Sequence, residues 1–144
     1  MIIQTAVKDN WGRISEISKA SGYIDYISQV GPSYLNGGNV IVAIENNTIA
    51  GFLKIEELCD NSYWLSGLRV HPDFRRKGIA RTLTKKAIRT AKLNDFKAVR
   101  LLVSQQNVAS LKLSENEGFK IIREMINFKG IPEVKDNKKS YSIK

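Results

Sequence analysis

Apolar residues recur at helical spacing early in the chain, at strand spacing through its middle, and at helical spacing again from Gly78. After a β-prone run over residues 2–7, Asp9 is placed to cap a helix on which Trp11, Ile14, Ile17 and Ser18 share a face, and Gly22 closes it. A second short helix is expected over residues 23–30, with Ile24, Ile27 and Val30 inward and Gly31-Pro32 as the stop. Asn36-Gly37-Gly38-Asn39 precedes a strand and not a helix, so it reads as a turn and not as a phosphate loop. Residues 40–45 and 48–56 flank Asn46-Asn47, a pair that tolerates the positive φ of a two-residue hairpin. Asp60-Asn61-Ser62 makes the next turn, and residues 63–70 a third strand of an antiparallel meander.

The longest helical period follows, with Ile79, Ala80, Leu83, Ala87, Ile88 and Ala91 on one side and basic residues elsewhere, broken at Asn94-Asp95. Residues 98–104 form an apolar run of strand length, and a strand, helix and strand in that order predict that 63–70 and 98–104 run parallel. Asn107 is placed to cap a further helix through Glu117, ended by Gly118. Residues 119–128 read as a strand, 130–139 as a polar loop and 141–143 as a last short strand. No internal repeat or low-complexity segment interrupts the pattern.

A chain of 144 residues, 42% hydrophobic and 26% charged, is expected to fold as one domain over residues 1–144. Cys59 is the only cysteine and His71 the only histidine, which excludes an intrachain disulfide and leaves too few soft ligands for a structural zinc. No metal site is expected. The N-terminal residues lack the pattern of a secretory leader and no apolar run approaches membrane-spanning length, so the expected setting is cytoplasmic, without a membrane partner. The formal charge is +9, but it is local: residues 1–74 carry five Lys/Arg against eight Asp/Glu, residues 75–100 ten against one, and residues 101–144 eight against five.

That local excess draws attention to residues 65–80, LSGLRVHPDFRRKGIA, a strand running through a loop into a helix. The first turn of a helix leaves four N–H groups without intrahelical partners, and the macrodipole makes that end positive. Gly78 removes the side chain that would keep a phosphate off this backbone, Ala80 keeps the next turn small, and Arg75, Arg76 and Lys77 supply cations. Neither the G-x-x-x-x-G-K-[ST] nor the G-x-G-x-x-G pattern is present. A solvated helix start would show the same residue types.

The stretch resembles the GCN5-related N-acetyltransferase family, whose signature [QR]-x-x-G-x-[GA] cradles the pyrophosphate of acetyl-CoA and is matched by Arg75-Arg76-Lys77-Gly78-Ile79-Ala80. Leu68-Arg69-Val70-His71-Pro72 is similar to the strand end and Pro-containing loop before it. A second motif, N-x-x-A-x-x-L-Y-E-K-x-G-F, is matched by Asn107, Ser110, Leu113, Glu115, Gly118 and Phe119, with Ser110 in the alanine place. The resemblance implies an α/β (α+β mixed), GNAT-like acyl-CoA N-acyltransferase fold. Its sheet would be mostly antiparallel, with about six to seven strands, a splayed parallel pair and about four flanking helices. It implies acetyl-CoA as co-substrate, with Leu68, Arg69 and Val70 along the pantetheine arm, Arg76, Lys77, Gly78, Ile79, Ala80 and Arg81 around the pyrophosphate with Arg75 beside them, and Asn107 reaching the cofactor as well as capping its helix.

The departures bear on the chemistry. Ser114 stands where many members carry the tyrosine that protonates the departing thiolate, and a serine hydroxyl is too weak an acid to replace it. The strand over 63–70 holds Ser66 where some relatives have a glutamate base; Glu56 and Glu57, ending the preceding strand, are the substitutes, though such a pair also reads as a solvated strand end. The implied activity is acetyl transfer from acetyl-CoA to a primary amine by direct attack in a ternary complex, with a cationic amine favoured by the acidic balance of residues 1–74. Competing readings are a catalytically weak acyl-CoA-binding or sensor module and a basic nucleic-acid binder using residues 75–100. The last is disfavoured because no helix-turn-helix is recognisable and no aromatic residues interleave the basic run. Monomer and homodimer both fit. His71, before Pro72, reads as structural or as a cofactor neighbour, and Trp11 and Trp64 as core.

Overall fold

A computed structural model describes residues 1–126 and 130. Among the described residues, five strands lie in the sheet in the order of the sequence: β1 (Ile2–Thr5), β2 (Val40–Glu45), β3 (Thr48–Leu58), β4 (Ser62–Val70) and β5 (Ala98–Leu101). Tight connections impose that order. Asn46 and Asn47 both adopt positive φ, 49° and 58°, turning β2 into β3, and Asn61 at 60° turns β3 into β4. The first three pairings are antiparallel. Helix α3 (Ile79–Leu93) then carries the chain across the sheet, so β5 pairs with β4 in parallel, from Ser62↔Ala98 to Leu65↔Leu101.

The sheet is covered on both faces. Helix α1 (Trp11–Ala20) and the single turn of α2 (Tyr26–Val30) bury Ile14, Ile17 and Ile27 against Val40, Val42 and Phe52. Helix α3 buries Ile79, Leu83 and Ala87 against Ala43, Leu53 and Leu65 on the other face. Burying each large aliphatic side chain contributes about 1.5–3 kcal/mol, so these two clusters dominate the stabilisation. The last helix, α4 (Val108–Asn116), follows β5 and is capped by Asn107, whose Oδ1 accepts from the Ser110 N–H at 3.1 Å.

Four expectations are corrected. Asp9 does not cap α1: a 3₁₀ turn over Lys8–Asn10 precedes it, and Asn10 Oδ1 accepts from the Val7 N–H at 2.9 Å. The second helix starts three residues late, because Asp25 caps it through the Ser28 N–H; Ile24 is thereby left 86% exposed and Val30 50% exposed, and only Ile27 turns inward. The strand expected over 98–104 stops at Leu101, where pairing with β4 ends. Residues 119–126 form no strand: Gly118 turns the chain with φ 88°, Phe119 packs on the α3 cluster, and Ile121, Ile122 and Ile126 are exposed with no sheet neighbour among the described residues. The expected strand at 141–143 lies outside the described residues. Among those described, no helix is long and apolar enough to cross a membrane, and no His/Cys/Asp/Glu group could hold a metal.

Candidate functional site

The site begins at a fault in β4. Phe52 pairs with Arg69 and Lys54 with Ser66, so one residue of β3 faces two of β4, Gly67 and Leu68. Such a bulge leaves a residue outside the ladder and sharpens the local twist. Gly67 supplies the left-handed φ of 62° that the bulge requires, and a Cβ there would meet the Tyr34 hydroxyl at 2.2 Å and that of Tyr26 at 3.3 Å. Beyond the last pair, Leu65↔Leu101, the two parallel strands separate. The opening is a cleft of about 140 Å³, with Ser66–Arg69 on one wall, Leu102–Ser104 on the other, and Asn107, Ser110, Leu113 and Ser114 closing it.

Where β4 ends, the chain enters the cradle. His71 Nδ1 accepts from the Asp73 N–H at 3.3 Å, a structural role within the loop. Arg76 and Gly78 take left-handed conformations, φ 60° and 77°, which set the start of α3. No side chain caps that start, and a Cβ on Gly78 would meet nothing within 4 Å, so the space beside the helix start at Gly78 is open. Ile79 is 1% exposed, and its side chain belongs to the core. Arg76 and Lys77 are exposed beside it, with Lys77 Nζ 5.0 Å from the centre of the Phe74 ring.

The other two cations have partners. Arg75 donates from Nη2 to the Ser21 carbonyl at 2.6 Å, tying this loop to the one between α1 and α2. Arg81 donates to Glu117 Oε1 at 2.6 Å, joining α3 to the end of α4. Arg75, expected beside the residues that surround the pyrophosphate, holds a backbone carbonyl of the α1–α2 loop in this structure.

Among the residues expected to act chemically, the structure brings Leu68, Arg69, Asn107 and Ser114 to the cleft, while Val70, Glu56 and Glu57 do not line it. Glu56 lies on the α1/α2 face of the sheet, 3.6 Å from Lys54 Nζ and within 3.5 Å of the Ser66 hydroxyl. Strand alternation puts Glu57 on the opposite face, where it is exposed. The two glutamates therefore do not act as a pair. Ser114 donates its hydroxyl to the Ser110 carbonyl at 2.9 Å.

Sequence reasoning missed Gly67 and three tyrosines. Tyr34 is 3% exposed beneath the bulge, edge-on to Phe52, with Lys54 Nζ 4.7 Å above its ring; burial, ahead of all else, pushes its phenol well above the usual range. Tyr26 lies beside it. Tyr23 reaches the cleft itself, accepting from Asn107 Nδ2 at 3.3 Å, with the Arg69 guanidinium 4.7 Å over its ring. An internal glycine in a strand is the standard sign of a bulge, and was the one available signal for Gly67. The tyrosines had none, since folding alone brings residues 26 and 34 to residue 67 and residue 23 to residues 69 and 107.

A family model, Acetyltransferase (GNAT) family, matches residues 10–119. No curated protein matches the chain. Solved structures share its fold at low identity. The PaiA N-acetyltransferase of Thermoplasma acidophilum, in complex with coenzyme A, is 22% identical, with 83% of this chain and 89% of that one covered at a TM-score of 0.72. The ribosomal-protein-S18-alanine N-acetyltransferase of Escherichia coli is 19% identical over 83% of this chain and 77% of its own, at 0.71. An acetyltransferase of the GNAT family from Staphylococcus aureus Mu50 is 21% identical, with 85% of each chain covered, at 0.73. The chain spans about half, 52%, of a longer Thermoplasma acidophilum chain of the same fold, to which it is 20% identical at a TM-score of 0.69.

Proposed function

The chain belongs to the acetyltransferase (GNAT) family and uses acetyl-CoA, and from that premise we propose that it moves the acetyl group onto a primary amine by direct attack in a ternary complex, as a single domain over residues 1–144. The observation that carries this reading is that β4 serves both parts: its residues Ser66–Arg69 wall the cleft, and the chain runs on from its end at Val70 into the uncapped N-terminus of α3 at Gly78.

The residues fit the donor. The N–H groups of Gly78 to Arg81 and the side chains of Arg76 and Lys77 would hold its pyrophosphate at the positive end of the helix, where the backbone is unobstructed. The backbone of Leu68–Val70 would pair with the pantetheine arm, and Leu65, Leu101 and Leu113 would exclude water from it. When bound, acetyl-CoA supplies an activated thioester. A backbone N–H at the splayed end of β4 would stabilise the oxyanion that forms on attack.

The amine must shed a proton before it can attack, and water takes it, with Glu56 the carboxylate on that face of β3. Holding amine and thioester as neighbours supplies most of the rate. The test is acetyl-CoA turnover with a panel of amines, read as thiol release: spermidine, glucosamine, a lysine peptide and an alanine-initiated peptide. At least one acceptor should raise release well above hydrolysis; if none does while coenzyme A raises the melting temperature, the chain is a binding module and the reading fails.

A further inference from the structure

A thioester that gives up its acyl group departs as a thiolate, and a positioned acid accelerates that departure. Resting on the reading above, we propose that Tyr23 delivers this proton. Among the described residues lining the cleft, none is Asp, Glu, His, Cys or Lys. Arg69 does not release a proton in the accessible range, and aliphatic hydroxyls, those of four serines and Thr84, are too weak as acids. Among these described residues, the phenol of Tyr23 is the only practical acid left.

Its geometry suits the task. Ser114 has committed its proton to the Ser110 carbonyl at 2.9 Å. Tyr23 is engaged in the opposite sense, because its hydroxyl oxygen accepts from Asn107 Nδ2 at 3.3 Å. The direction of that bond is fixed independently: Asn107 Oδ1 already accepts from the Ser110 N–H at 3.1 Å, so the amide turns its NH₂ toward the phenol. Among the described residues no acceptor takes the Tyr23 proton. The Arg69 guanidinium stacks 4.7 Å over the ring and holds it in place on the cleft wall. Arg75, bonded to the Ser21 carbonyl two residues before Tyr23, holds this loop against the cradle.

The step balances. As the carbon–sulfur bond breaks, its electron pair goes to sulfur, and sulfur takes the phenolic proton to become a free thiol. Nitrogen loses its proton to water on the Glu56 side, and water returns a proton to the phenolate. One amine and one thioester become one amide and one thiol.

The experiment compares wild type, Tyr23→Phe, and Tyr23→Phe combined with Ser114→Tyr, using acetyl-CoA and the best acceptor of the amine panel. Phenylalanine keeps the ring under Arg69 and removes only the hydroxyl, and a thermal shift with coenzyme A reports whether each variant folds and binds. A general acid contributes about 10²- to 10⁴-fold, and a thiolate needs one less than most leaving groups, so kcat should fall about 10²-fold with the KM for acetyl-CoA within about twofold. Tyrosine at position 114, on the same cleft, should recover about tenfold of that loss or more. A Tyr23→Phe enzyme with kcat within about threefold of wild type overturns the role, as does a loss carried in KM or one that the second tyrosine does not repair. Wild-type turnover is measured separately and tests the acetyltransfer reading itself.

Discussion

Replacing Gly67 by alanine should unfold the site before it touches the chemistry. Two costs add. The residue sits at φ 62°, where an L side chain is strained by about 1–2 kcal/mol. The new methyl would also lie 2.2 Å from the Tyr34 hydroxyl, far inside contact distance. Tyr34 has nowhere to go: it is 3% exposed, edge-on to Phe52 at 6.3 Å between ring centres, with Lys54 above it. Overpacking of that kind costs about 1–3 kcal/mol, so the sum is about 2–5 kcal/mol. For a domain of this size each kcal/mol moves the melting temperature by about 2–4 °C, which predicts a fall of about 10 °C. Urea unfolding of wild type, Gly67→Ala, Tyr34→Phe and the double variant separates the two costs. Removing the hydroxyl should return the packing share and leave the backbone share, so the alanine should cost about 1–2 kcal/mol in the Tyr34→Phe background. A Gly67→Ala protein within about 0.5 kcal/mol of wild type, or a penalty unchanged when the hydroxyl is absent, would refute the account of the bulge.

Gly78→Ala separates binding from stability in the opposite way: its Cβ meets nothing, so the cost to folding is only the left-handed strain at φ 77°, about 1–2 kcal/mol. Coenzyme A affinity, read by calorimetry, should fall more than tenfold (over about 1.4 kcal/mol) because the methyl stands where the phosphate must approach. Asp25 gives a pH signature, since the Ser18 hydroxyl at 2.6 Å, more than its other contacts, holds the carboxyl below the ordinary aspartate value of 3.8. The unfolded chain then binds more protons, so this contribution is fully present above 3.8 and is lost as pH falls through the lower folded value. Urea midpoints of Asp25→Asn should therefore decline less steeply than those of wild type as the pH drops below about 4.

What was legible from the sequence is what contiguous residues encode. Asn46-Asn47, Asn61 and Gly118 announce turns by their own backbone freedom, and each has positive φ. The uncapped start of α3 was legible for the same reason, because Gly78 and the cations beside it lie at the first turn of a single helix. The cap on α4 follows from Asn107 and Ser110, three residues apart. The expectations that failed depended on what lies opposite. Residues 119–126 have strand composition, but a strand exists only where a neighbour offers a ladder, and none does among the described residues. Residues 102–104 are as apolar as β5, yet the bulge at Gly67 draws β4 away from them.

The proposed donor half of the site is a local object, written in one stretch, whereas the proposed proton-handling half is assembled by the fold. Asn107 belongs to both: its carbonyl oxygen closes the cap that the sequence foretold, and its amide finds Tyr23, 84 residues earlier in the chain. The substitution at Ser114 looked like the loss of an acid while that position was considered alone. With Tyr23 on the same cleft, the phenol has changed its place of origin, from the helix after β5 to the loop after α1. A side chain on that loop is held less tightly than one on a helix, which is why the Arg75 bond to Ser21 matters to it. If the acid resides there, acetyl transfer should be more sensitive to Arg75→Ala than coenzyme A binding is. A pyrophosphate ligand at position 75 would give the reverse order, and measuring both quantities on that one variant decides between the two roles of the arginine.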